Sequence, residues 1–311
     1  MLLSTDTDAS VFHMRLAKHN ACRLAVGVPS HTWENDEFLE SKFRILEGRY
    51  IEDLRQSISS ISQGHEESPS HFVDWFKSLA DWGPGQHHPL FDWLEHNANL
   101  EEMKWFLTQE VAGEAGFDDL VAYSQVKLPV QAKLECARNY WDEMGRGKRG
   151  AMHGPLLERM VEGLNLKPSI DATVWESLAL GNTMVAMATT RRYTYQSLGA
   201  LGVIELTAPG RAVKVAAGMK RLGIDQKLRA YFDLHAVLDV AHSESWIREI
   251  IQPLVVENPG CARYLAEGAL MRLQCGKQCF DRYSRELGVD LIPIEFALPD
   301  NSYAERTYRV Q

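Results

Sequence analysis

Between Asp36 and Tyr283 the apolar residues return with a period near 3.6, and nothing in that stretch reads as a strand. No Asn-Gly or Asp-Gly pair separates two alternating runs, so a hairpin has no tight turn to form on. This predicts an all-α chain, with helices at roughly 36–62, 69–80, 98–112, 115–125, 130–144, 150–163, 171–190, 194–221, 226–253 and 259–285. Gly and Pro punctuate the gaps, at Gly64, Gly83, Pro84, Gly145, Gly147, Pro168 and Pro259. The first 30 or so residues read as a loosely ordered lead and the last 20 as an extended tail. The domain reading is therefore 1–100 as lead and accessory helices, 101–290 as the principal helical domain, and 291–311 as the tail.

Composition narrows the function. The 311 residues are 45% hydrophobic and 24% charged, enough to bury a large core. A net charge of −9 without any Lys/Arg block argues against nucleic acid and anionic membranes as partners. No apolar run reaches spanning length, and the N-terminus lacks the basic-then-apolar order of a signal peptide. Five irregularly spaced cysteines suit reduced thiols, so a cytoplasmic location is expected. Cys275 and Cys279 lie one helical turn apart, but no second ligand pair accompanies them, so they read as packed thiols rather than a zinc site.

The chemistry concentrates in residues 231–243, where His235, Asp239 and His242 stand at i, i+4 and i+7. On a helix these offsets bring three side chains to one face. The residues between them (Ala236, Val237, Leu238, Val240 and Ala241) are apolar, so the helix should be largely buried and its polar groups need partners. A satisfied core network would use the same residues, and other segments supply metal-type partners. Glu143 and His153 flank a Gly-rich turn that can fold them back to one point. Glu205 stands among Val203, Ile204 and Leu206, and Pro209 four residues on should bend that helix. Glu110 follows an apolar helical face. Carboxylates and imidazoles without a thiolate point to iron or manganese, and a helical bundle is a suitable host for a two-metal centre.

The order Glu143, His153, Glu205, His235, Asp239, His242 resembles the haem-oxygenase-like di-metal oxidases and oxygenases, the iron-containing redox enzymes. The resemblance spans residues 105–283. It implies a haem-oxygenase-like bundle with extra N-terminal helices, and those six residues as ligands of two iron ions, manganese being the alternative metal. Carboxylates fill the positions that a haem-binding version would need. Members that oxygenate nitrogen carry a seventh carboxylate, for which Glu110 is the candidate and Glu114 or Glu135 the alternatives. The resemblance also implies O2 as co-substrate and an external electron donor, either a reductase or a chemical reductant. The expected substrate is a small amine or amino-acid-derived molecule, N-oxygenated in specialised (natural product) metabolism. Oxidative C–C cleavage, desaturation or decarboxylation of an amino or fatty acid is the alternative at the same centre, and a non-redox helical binding protein is the alternative outside it.

Four details remain open at the level of sequence. Asn139 and Tyr231 each precede a ligand by one turn and either support it or simply pack. Gly199 and Gly202 either open a substrate cavity before Glu205, toward Arg191, or permit close helix packing. The N-terminal 100 residues match no motif and suit a lid or a dimerising region, so a homodimer is the expected self-partner.

Overall fold

The computed structural model describes residues 6–62, 68–114 and 116–290. The 3.6 period resolves into helices throughout: α1 (Asp6–Leu24), α2 (Trp33–Ser57), α3 (Ser59–Ser62), α4 (Pro69–Trp82), α5 (Pro89–His96), α6 (Leu100–Gly113) and α7 (Phe117–Ser124). These are followed by α8 (Val130–Glu143), α9 (His153–Leu164), α10 (Trp175–Thr189), α11 (Thr194–Arg221), α12 (Gln226–Trp246), α13 (Gln252–Glu257) and α14 (Ala262–Leu287). Short 3-10 turns link several of them, and no strand occurs among the described residues. The chain is all-α, as its periodicity requires.

Helix α11 is the axis of the bundle. It packs along α12 and α14, and more briefly against α5, α10 and α4. A helix enclosed on several sides cannot show one apolar stripe, and α11 is apolar nearly all round over Leu198–Val203. Its approach to α14 depends on two glycines. A Cβ on Gly268 would stand 1.8 Å from the Gln196 carbonyl oxygen, and one on Gly199 would stand 2.0 Å from that of Leu265. The helix continues through Pro209, which leaves the Glu205 carbonyl without an i+4 N–H donor.

Three expectations are corrected. Residues 6–24 form α1, docked on α10, where a loose lead was expected. Helix α5 lies in a stretch assigned to no element; Pro89 starts it and the His88 imidazole accepts from the Leu90 N–H at 3.2 Å. The single helix expected over 226–253 is interrupted by a π-helical turn, Ile247–Ile251. Pro253 cannot donate to the Glu249 carbonyl, and a wider turn relieves the clash of its ring with the preceding backbone. The expected C-terminal tail, 291–311, lies outside the described residues.

Apolar packing divides into two clusters. One, around Phe72, Phe76, Leu201, Trp246 and Leu265, holds the α4–α11–α14 side. The other, around Phe91, Phe106, Met160, Met219 and Phe280, holds the α5–α6–α9 side. Glu143, His153, Glu205, Asp239 and His242 are all buried.

Candidate metal centre

Four helices deliver the polar groups. Helix α8 ends on Glu143, a turn with Arg146 in the left-handed region and glycines at positive φ reverses the chain, and His153 opens α9. The reversal needs Gly145, because a Cβ there would stand 2.6 Å from the Ala151 carbonyl carbon. Helix α11 contributes Glu205, and α12 contributes His235, Asp239 and His242.

Glu143 is the point of convergence. Its Oε2 lies 2.9 Å from His153 Nδ1 and 3.8 Å from His235 Nε2. Its Oε1 lies 3.8 Å from His242 Nδ1, which is also 3.5 Å from Glu205 Oε2. Two ligand triads result, Glu143–His153–His235 and Glu143–Glu205–His242, each with donor atoms within 4.8 Å of one another. The carboxylate they share turns a different oxygen to each.

The outer faces of these side chains are fixed as well. His235 Nδ1 donates to the Tyr231 carbonyl at 2.7 Å, leaving Nε2 free to ligate. His242 Nε2 donates to Asp142 Oδ2 at 3.2 Å, leaving Nδ1 toward the two glutamates. Asn139 donates to Glu205 Oε1 at 2.6 Å. The Tyr231 hydroxyl meets His153 Nε2 at 3.3 Å, and Glu114 Oε1 lies 3.4 Å from the same nitrogen. Glu114 in turn accepts from the Gly116 and Phe117 N–H groups at 2.9 and 3.0 Å, capping α7.

The electrostatics ask for cations. Burial alone would discharge these imidazoles, yet hydrogen bonds donated to Glu114 and Glu143 raise His153 to about 10. Against the same burial, Glu205 and Asp142 raise His242 to about 9. Burial also opposes ionisation of Glu143, but His153 and His235 outweigh it and hold the carboxyl below its ordinary range. Asp239 goes the other way, up to about 8, because burial and the Glu205 charge both disfavour a further anion. Buried Asp239 Oδ1 and His242 Nδ1 lack any hydrogen-bond partner. Excess negative charge, two inward-facing ring nitrogens and an orphaned carboxylate oxygen fit divalent metal ions.

Of the residues expected from sequence, Glu143, His153, Glu205, His235 and His242 are brought together in the triads. Asp239 lines the adjoining cavity beside Glu205 and His235 without entering either triad. Glu110 is not brought to the cluster: it stands on the cavity wall with Tyr283, Arg211 and Arg272. Glu135 is buried but pairs with Arg138. Asn139 and Tyr231 support ligands instead of merely packing. Sequence reading missed Asp142, although two consecutive acids ending α8 were the signal for it.

The cavity encloses ≈ 180 Å3 and lies beyond Glu205, beside Ala208, Arg211, Ala212 and Val215. It does not lie at Gly199 and Gly202. A Cβ on Gly202 would stand 2.6 Å from Trp246 Cδ1, so both glycines serve close packing. Arg191 instead donates to the carbonyls of Tyr123, Ser124 and Val126.

A helical bundle that focuses buried carboxylates and imidazoles on two adjacent points offers the donor set that metal ions take in such bundles. Comparison with known proteins agrees. The family described as iron-containing redox enzyme matches residues 104–277, more than half of the chain, and the protein belongs to that family. Two crystal structures of a CADD-like protein of unknown function from Nostoc punctiforme PCC 73102 share the fold at 17% identity. One gives a TM-score of 0.55 over 70% of this chain and 97% of that one, the other 0.54 over 72% and 98%. No curated protein matches at a significant level. No described helix is long and apolar enough to cross a membrane.

Proposed function

We propose that this iron-containing redox enzyme is an O2-dependent non-haem di-iron oxygenase acting on a small amine or amino-acid-derived substrate, with N-oxygenation as its reaction. The observation that carries the di-iron reading is Glu143, one buried carboxylate whose two oxygens face two different histidine-containing triads. Glu143, His153 and His235 would hold one iron, and Glu143, Glu205 and His242 the other, with Asp239 at hand for either. Iron bound there supplies the electrons and the open positions that activation of O2 requires.

The chain's own residues do the remaining work. Tyr231 and Asp142 fix the tautomers of His235 and His242, Asn139 holds Glu205, and the apolar walls of the cavity exclude water from the oxidation. Glu114 adds a carboxylate on the cavity side beside His153, beyond those used in the triads. An external donor, a reductase or a chemical reductant, would supply the electrons that such chemistry consumes.

Anaerobic reconstitution with Fe(II) tests the centre. About two irons per chain are expected, and well under one sinks the di-iron reading in favour of a binding protein. Given O2, a reductant and candidate amines, N-hydroxy or nitro products support N-oxygenation, whereas an alkene, an aldehyde or released CO2 replaces it with C–C or C–H oxidation.

A further inference from the structure

The far wall of the cavity carries a pair of cations that the metal centre does not use. Arg211 on α11 and Arg272 on α14 both line it, and Arg211 lies over the ring of Phe280. The Arg211 guanidinium carbon is 5.4 Å from that ring's centroid and 5.9 Å from that of Phe91. Arg272 runs across Gly276, where an added Cβ would stand 2.8 Å from its Nη1 and 3.7 Å from the tip of Phe280. Space for this guanidinium is therefore made by a missing side chain.

Neither arginine has a carboxylate partner at ion-pair distance among the described residues. The one hydrogen bond of Arg211 goes to the Thr207 hydroxyl at 3.3 Å, and the buried Nε of Arg272 has none. Burial and the proximity of Arg272 depress Arg211 to about 9, the sign of a cation short of anions. Glu110 is the nearby acid, and its carboxylate is engaged with Tyr283, whose hydroxyl also meets Ser177 at 2.6 Å. Two cations thus stand beside one neighbouring acid, with Asp239 acting on Arg211 as well, in a wall otherwise made of Phe91, Phe106, Leu180, Val215 and Phe280. An enclosed charge without a counterion is costly to the fold and is retained most readily where a ligand neutralises it.

We propose that Arg211 and Arg272 anchor the carboxylate of a compact substrate, holding it at the end of the cavity remote from the metal triads. This deepens the reading of the same cavity as the oxidation site. A planar carboxylate matches the guanidinium fork, and a wall that already holds Glu110 suits a monoanion better than a phosphate dianion. An engineered apolar cavity of about 150 Å3 takes up benzene, so ≈ 180 Å3 sets the scale of the ligand at somewhat more than benzene's six non-hydrogen atoms. Arg211 follows Glu205 by six residues on α11, an axial offset of about 9 Å. A carboxylate held at that offset turns the opposite end of the molecule toward Glu143 and Glu205. The atom oxidised is then remote from the carboxyl group, which argues against decarboxylation and for an amine at the far end of an aminocarboxylate.

Binding tests this without turnover. Full-length protein, with and without anaerobically loaded Fe(II), is titrated calorimetrically with phenylacetate and 5-aminopentanoate and with the corresponding carboxamides, which lack the carboxylate, to millimolar concentration. Each acid is expected to bind at least about tenfold tighter than its amide. In Arg211→Gln and Arg272→Gln that preference should fall to within about twofold. Ligand-free Arg272→Gln should melt no lower than the parent, because it loses an unpaired cation, whereas a structural arginine would lower the melting temperature on replacement. Acid and amide binding alike, no binding by either acid, or a preference surviving in both variants overturns the anchor. Because the titration needs no iron, its failure leaves the metal content unaffected, and a failed iron reconstitution leaves the titration standing.

Discussion

Asp142 shows how much of a metal site lies outside its ligands. It is adjacent to Glu143 in sequence, yet on a helix the two point about 100° apart. Glu143 faces inward to the triads, while Asp142 reaches around to His242 Nε2 at 3.2 Å and to Arg146 Nε at 2.6 Å. Removing its charge should leave the fold intact and release the orientation of one imidazole. Asp142→Asn is expected to weaken iron binding by ~10- to 100-fold, the usual cost of losing an outer partner of a ligand. Competition of the loaded protein against a calibrated chelator measures it, and unchanged affinity would show that His242 is oriented by packing alone. The ligands themselves were legible because a polar residue in an apolar helix is conspicuous. Among their outer partners Asn139 and Tyr231 were legible as residues one turn before a ligand, whereas Asp142 was not, since it stands at a helix end where acids are ordinary. Glu110 was legible as a residue following an apolar face but not as the neighbour of two arginines, which lie 101 and 162 positions further along the chain.

At the scale of the element, α1 explains why a docked helix read as a loose lead. Its buried positions are Ala9, His13, Leu16 and Asn20, spaced as an inward face should be, but two of the four are polar. A search for apolar periodicity passes over such a face. Polar pairing replaces greasy contact: Asn182 of α10 donates to the His13 carbonyl at 3.0 Å and accepts from Asn20 at 3.0 Å. The His13 ring itself is enclosed by Phe12, Tyr50 and Trp175. Burial lowers it from the ordinary 6.5 to about 3, so it is neutral when folded. The unfolded chain takes up this proton below pH 6.5 and the folded chain does not. The stability held above pH 6.5 is therefore lost progressively as pH falls toward about 3. The loss is about 1.4 kcal/mol per pH unit within that window. Urea unfolding and hydrogen exchange of α1 at neutral and mildly acid pH should show it. His13→Gln should flatten the pH dependence, and an equal acid loss in that variant would place its origin elsewhere.

Across the whole molecule, the helical class followed from periodicity, whereas the position of the cavity did not. Glycines are ambiguous in sequence, because an absent side chain is filled either by ligand or by a neighbouring helix. Gly199 and Gly268 are filled by opposing backbone, and Gly202 by Trp246, so they close the α11–α14 and α11–α12 seams. Space opens instead where α6, α9, α10 and α12 diverge around Ala208 and Ala212. The bundle thus spends its tightest packing on one side of Glu205 and leaves a polar hollow on the other. With Glu143, Glu205, Asp239 and three imidazoles facing inward, metal binding is expected to contribute folding free energy here. At free metal about a hundredfold above Kd the gain is about 2.7 kcal/mol, or roughly a 5 °C rise in Tm for a chain of this size. Calorimetric scans of chelated protein and of protein loaded anaerobically with Fe(II) or Mn(II) should differ by that order. His235→Ala and His242→Ala should abolish the difference while keeping helicity. Superimposable scans for all three preparations would mean that the cluster is a satisfied core network, and the di-metal assignment would fall with them.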